Sequence, residues 1–262
     1  MVKGVSIKFK SYFETVPKLL EITQLGNLIK KHNSILLKPS LKNSNSINTP
    51  LDFTESVLQF CLKNKSPSAQ VYIAEGSDVE DTMEVFDKLG YKSLAEKYNV
   101  SLVDLNTAET ESVYPLHAMT FESVNYPKIL KESLIISIPK LSSDSETEFT
   151  TSLSNMVGAY PAKNYKGFFT KYKTKIKKEP IRYAIHDIIR CKMPEVAIID
   201  ASEQGFILTG EPLEIDKQAL NLLNKDWKSV PYISLINDSI LQDLEREKRK
   251  REAQESRAKQ IK

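Results

Sequence analysis

Cysteine is almost absent from this chain: Cys61 and Cys191 are the only two, and neither has a thiol near it in sequence. That scarcity excludes a disulfide framework, any CxxC pair and any Cys/His cluster with metal-ligand spacing. No iron–sulfur cluster is therefore expected in this chain, and a reducing cytoplasm is the expected setting. Long apolar runs are missing too: none approaches the roughly 20 residues that span a bilayer. The opening Met1-Val2-Lys3-Gly4-Val5 lacks the apolar core of a signal peptide, so no membrane role is expected. Glycine is sparse, and neither GxxxxGK[ST] nor GxGxxG occurs, which removes the common phosphate-cradling loops. Histidine is limited to His32, His117 and His186, with no spacing that defends a Ser/His/Asp or Cys/His arrangement.

Charge is present but local. The net +3 resides in the last twenty residues, where Arg246, Lys248, Arg249, Lys250, Arg251, Arg257, Lys259 and Lys262 outnumber five carboxylates. The body before them sums to zero, so bulk attraction to nucleic acid or anionic lipid is not expected of it. Glu245 faces Arg249 and Glu247 faces Arg251 at i,i+4 in the favourable order, which suits a solvated helix.

Short β-branched runs alternate with amphipathic stretches, the pattern of strands joined by crossover helices. Strands are expected at Val5–Phe9, Ser34–Lys38, Gln70–Ala74, Val100–Leu105, Leu134–Ile138, Val196–Ile199 and Phe206–Leu208, with an edge strand or hairpin arm at His117–Ser123. Helices are expected over Pro17–Lys31, from Asp78 to Gly90, over Leu94–Tyr98, Phe149–Met156, Ile181–Cys191 and Leu213–Leu223. Another should start at Thr49-Pro50, with Thr49 as N-cap and Pro50 at the first helical position. The expected fold class is α/β: a mostly parallel central sheet with helices on both faces. Residues 1–238 would form one domain, and 239–262 a charged helical tail.

In open α/β sheets ligands bind outside the carboxyl ends of the strands. Each buried run here ends in polar residues: Lys38-Pro39-Ser40, Glu75-Gly76-Ser77, Asp104-Leu105-Asn106, Pro139-Lys140 and Asp200. These side chains could converge on one ligand, or simply satisfy turns, as strand ends require in any protein.

Taken in order, the endings resemble the domain of unknown function family 362. The resemblance rests on Lys38-Pro39, Glu75-Gly76-Ser77 with Thr82, Gly90-Tyr91, Leu94-Ala95, Tyr98 and Val103-Asp104-Leu105-Asn106. It continues through Pro139-Lys140-Leu141, Thr150-Thr151-Ser152, Asn155, Gly158, Ile198-Ile199-Asp200 and Gly210-Glu211-Pro212 with Asp216, spanning about Ile35 to Leu235. It implies an α/β protein whose cleft draws on Lys38, Glu75, Ser77, Asp104, Asn106, Lys140, Asn155, Asp200 and Asp216. Lysines there would hold a small anionic ligand, and carboxylates could hold a hard cation such as Mg²⁺. Departures weigh against catalysis. Ser40 replaces an asparagine, Ser142-Ser143-Asp144 stands where the family carries Lys-Thr-His, and Ser154 takes the place of a lysine. Whether the chain is an enzyme stays open at this level. A non-catalytic scaffold binding a protein partner is the alternative.

Between Tyr160 and Arg182, Lys163, Lys166, Lys171, Lys173, Lys175, Lys177 and Lys178 are interleaved with Tyr160, Tyr165, Phe168, Phe169 and Tyr172. Such a mixture can neutralise phosphates while stacking on bases, a single-stranded nucleic-acid reading. Aromatics pinning the loop while the lysines stay solvated is the simpler expectation, so nucleic acid is an unlikely partner.

Overall fold

The alternation of apolar runs and amphipathic stretches resolves into a crossover topology. The computed structural model describes residues 4–168 and 173–260. In chain order, β1 (Val5–Lys8) leads to α1 (Tyr12–Ile22), α2 (Leu25–Ile29), β2 (Ser34–Pro39), α3 (Leu51–Asn64) and β3 (Gln70–Glu75). Then come α4 (Thr82–Lys88), α5 (Tyr91–Tyr98), β4 (Ser101–Asp104) and a hairpin of β5 (Thr110–Val113) with β6 (Val124–Pro127). After α6 (Lys128–Glu132) and β7 (Leu134–Ile138), a second hairpin pairs β8 (Ser142–Asp144) with β9 (Glu148–Thr150). A 3-10 segment at Ser154–Ala159 precedes α7 (Ala162–Tyr165), and another at Thr174–Lys177 precedes α8 (Ile181–Cys191). β10 (Val196–Ala201), β11 (Phe206–Gly210), α9 (Pro212–Leu222) and the 30-residue α10 (Pro231–Gln260) follow.

Seven strands form the sheet in the order β1-β11-β10-β7-β2-β3-β4. From β10 to β4 all neighbours are parallel, while β11 runs antiparallel to both β10 and β1. The protein is α/β, as expected. Alternation along each strand feeds two cores. Ile35, Leu37, Leu134, Ile136 and Ile138 pack with α1, α3 and α4 on one face. Leu36 and Ile135 pack with α8, α9 and α10 on the other. Both faces are covered, which is why these strands read as unbroken apolar runs. From β2 the chain steps outward to β3 and β4, then returns in β7 on the opposite side of β2. This reversal of strand order opens a crevice at the carboxyl ends of β2 and β7.

Several local expectations give way to tertiary demands. Thr49 does not cap α3; Pro50 holds the N-cap position. The Thr49 hydroxyl instead donates to Ile138 O at 2.9 Å and accepts from Ser40 N at 2.8 Å, tying the ends of β2 and β7 together. The hydroxyl thus serves a buried N–H and a buried C=O, whereas the cap it forgoes can be replaced by solvent. The stretch expected as a helix from Pro17 to Lys31 is two helices, broken where Gln24 takes a left-handed conformation at φ 56°. His117 is not in a strand; it sits in the connection between β5 and β6 at φ 60°. Phe149–Met156 is not a helix but the end of β9 and the start of the 3-10 segment. The helix after β3 starts at Asp81, not Asp78: the Asp81 carboxylate accepts from Met83 N and Glu84 N.

Tyr126 is buried, and among the described residues its hydroxyl has no hydrogen-bond partner. A buried donor without a partner costs free energy that its removal recovers. Tyr126→Phe is therefore expected to leave stability unchanged or raise it by up to about 1 kcal/mol in urea unfolding. A loss above that size would contradict the unpaired state.

Candidate functional site

The crevice is organised by a buried ion pair. Lys38, near the end of β2, donates to Glu75 Oε1 at 2.7 Å and to Asn155 Oδ1 at 3.2 Å, with both charged side chains out of solvent. Burial pushes the Lys38 ammonium below its usual range, and the neighbouring Glu75 charge opposes that shift. Glu75 spends its remaining acceptor sites on the backbone: Gly76 N reaches Oε1 at 2.8 Å and Leu41 N reaches Oε2 at 3.0 Å. Asn155 returns its amide to Lys38 O at 2.9 Å and Ser137 Oγ at 3.0 Å. Glycine is required opposite this pair, since a Cβ on Gly158 would lie 2.1 Å from Glu75 Oε1 and 2.7 Å from Lys38 Nζ. The chain there runs against the ion pair and seals it.

Above this network lies a small cleft lined by the segments after β2 and β3, the β8–β9 hairpin, Ser154–Gly158 and Lys173. The Lys173 side chain is buried, and its ammonium donates to Gly76 O at 2.7 Å and Gly158 O at 3.2 Å. Burial lowers its pKa to about 8, although Glu75 and Asp78 act to raise it. Two ion-paired groups stand at the mouth: Lys42 with Asp144, and Lys177 with both Asp78 (2.8 Å) and Glu146 (2.7 Å). Every other lysine around the cleft thus contacts a carboxylate. Among the described residues the Lys173 ammonium donates to carbonyls, while its backbone N–H donates to Asp78 Oδ1 at 3.2 Å.

A model of the family described as Domain of unknown function (DUF362) matches residues 35–216. The chain belongs to this family. No curated protein matches it. Among solved structures it is similar to the lactate racemase apoprotein from Thermoanaerobacterium thermosaccharolyticum, with a TM-score of 0.54 and 14% identity. The alignment covers 84% of this chain and 57% of that one, so the DUF362 chain spans little more than half of that structure's length. The likeness is one of fold.

The polar strand ends of this DUF362 chain separate into four places. Lys38, Glu75 and Asn155 come together as described. Ser77, Asp104 and Asn106 lie alongside, on a neighbouring depression that Lys163 and Lys166 also line. There Asn106 donates to Ser77 O (2.8 Å) and accepts from Ala162 N (3.1 Å), while Asp104 accepts from Asn106 N and Thr107 Oγ1. Lys140 pairs with Glu203 at 2.6 Å, and buried Asp200 accepts from Tyr12 Oη and Ser202 N, away from the cleft lining. Asp216 sits in the interior. Its Oδ1 accepts from Ser152 N and Ser152 Oγ, and its Oδ2 from Leu153 N and Thr151 Oγ1, fixing the turn that carries Asn155.

A magnesium ion is usually held by one or two carboxylates together with several waters. Among the described residues no group of three or more His, Cys, Asp or Glu side chains could hold a metal ion. Glu75, the carboxylate of the ion pair, already accepts three hydrogen bonds.

The basic stretch is less of a surface than its composition suggests. Tyr160 and Tyr165 are buried, and Lys163 and Lys175 donate to backbone carbonyls. Phe168 is 95% exposed. Phe169, Lys171 and Tyr172 lie outside the described residues. Sequence reasoning placed Lys173 on this surface; nothing in its polar neighbours signals that it turns inward.

Proposed function

We propose that this DUF362 chain binds a small anionic ligand in the cleft beyond the β2 and β3 strand ends, with Lys173 as the anchor. The observation that carries the reading is the charge balance of the cleft. Lys38, Lys42 and Lys177 are each matched by a carboxylate in contact, whereas among the described residues the buried Lys173 ammonium donates to two carbonyl oxygens. A desolvated cation with spare donor capacity gains far more from an incoming anion than an exposed lysine would. Glu75, the nearest buried carboxylate, is already engaged by Lys38 and two backbone N–H groups. The geometry favours binding over proton transfer.

The test compares thermal unfolding of wild-type protein and Lys173→Gln in acetate, phosphate or lactate against chloride at matched ionic strength. Lactate belongs in the panel because the solved neighbour of like fold is a lactate racemase apoprotein. An anion at about ten times its Kd stabilises by roughly 1.4 kcal/mol, or about 3–6 °C for a chain of this size. That shift should appear in the wild type and vanish in Lys173→Gln. No shift with any anion, or an equal shift in the variant, would refute the reading. Affinity should also fall as pH rises through about 8, because the ammonium that attracts the anion is lost there.

A second reading, a scaffold that binds a protein partner, draws on exposed apolar side chains. Tyr114, Leu116 and Met119 stand exposed between β5 and β6, and Leu241 and Leu244 on α10. Arg190 joins this region by donating to Leu116 O and pairing with Asp243.

A further inference from the structure

Buried hydroxyls show where the cleft expects a ligand. Among the described residues every buried serine and threonine has a hydrogen-bonded side chain except Ser40 and Thr150. Their residues are only 3% and 5% exposed. Neither oxygen is among the sealed, unpartnered polar atoms, so each still reaches solvent. Both line the same cleft as Lys173. Ser40 follows β2, Thr150 ends β9 and Lys173 precedes the 3-10 segment Thr174–Lys177, so three segments distant in sequence each bring a donor to one hollow.

Two hydroxyls that solvent reaches, in the cleft that also holds the Lys173 ammonium, are free to donate to an oxyanion. The charge of the cleft selects within oxyanions. Lys38 with Glu75 and Lys42 with Asp144 cancel, and Lys177 is shared between Asp78 and Glu146, so with Lys173 the cleft's charges sum to zero. Each further negative charge on a ligand adds repulsion from these carboxylates, which favours a singly charged ligand over a doubly charged one. We infer that Ser40 and Thr150 are specificity-determining residues that, with Lys173, receive the carboxylate of a small monoanion in preference to phosphate. The inference rests on the anion-binding reading above and adds the ligand class and two contact residues to it. Lys38, Glu75 and Asn155, linked through the Lys38 ammonium and tied to the backbone, act as positioning residues.

Calorimetric titration of the full chain with sodium acetate and with sodium phosphate, at pH 7 and matched ionic strength, tests it. Wild-type protein should bind acetate more tightly than phosphate. Ser40→Ala and Thr150→Val should each weaken acetate binding roughly ten-fold, the loss of one hydrogen bond to a charged group, while Thr150→Ser keeps it. Their unfolding in chloride should match wild type, since neither hydroxyl bonds to the protein. Acetate binding unchanged in both variants, or phosphate bound more tightly than acetate, overturns the assignment while Lys173-dependent binding stands. If the wild type binds neither anion, the anion-binding reading falls and takes this inference with it.

Discussion

Glu75→Gln is expected to destabilise the protein by about 3–5 kcal/mol, the usual cost of leaving one member of a buried ion pair alone. The amide keeps the shape but not the charge, and Lys38, fully buried, would face only neutral acceptors. Lys38→Met should cost less. The carboxylate it strands still accepts from Gly76 N and Leu41 N, so part of its charge remains compensated. The double variant Lys38→Met/Glu75→Gln should lose clearly less than the sum of the two, with a coupling above about 1 kcal/mol in a double-mutant cycle by urea unfolding. Additivity within about 0.5 kcal/mol would show that the pair does not interact as its 2.7 Å contact indicates.

Removing the Asp216 carboxylate should be comparably costly. Asp216→Ala strips the acceptor from two backbone N–H groups and two hydroxyls, all buried, and a loss on the order of 4 kcal/mol follows from the penalty of unsatisfied donors. Asp216 also has a pH signature. Burial raises its carboxyl pKa to about 6, against the pull of hydrogen bonds from Ser152, Thr151 and Leu153. A carboxyl raised in the folded state favours the protonated form. Its contribution is therefore complete below about pH 4 and is lost as pH rises through about 6. The span is about 3 kcal/mol at 1.36 kcal/mol per unit for a fully buried group. Denaturation of wild type between pH 4 and 7 should contain this slope, and Asp216→Asn, which cannot titrate, should remove it. A slope unchanged in the asparagine variant would assign it to other groups.

Both residues were visible as candidates in the sequence, but for a reason only partly tied to what they do. A polar residue closing an apolar run signals a strand end, and Lys38, Glu75 and Asp200 do close strands. Which of those ends meet is decided by strand order. β2 and β3 are neighbours, so Lys38 and Glu75 pair, while Asp104 at the end of β4 lies one strand beyond. Asp216, on α9, arrives from beneath the opposite face and serves the turn at Thr151–Leu153.

Local composition determined the α/β class, the main strands and the charged last helix, because burial on both faces imprints an apolar run and solvent imprints ion pairs. The family was legible as well, through the order of its motifs from Lys38-Pro39 to Asp216. Only the tertiary structure decided that Lys173 lies inside the cleft, that Thr49 ties two strand ends together, and that the Ser40 and Thr150 hydroxyls line that same cleft. Those facts depend on contacts between segments far apart in the chain. A lysine, a threonine or a serine reads the same in sequence whether its polar end meets water, a carbonyl or an open hollow.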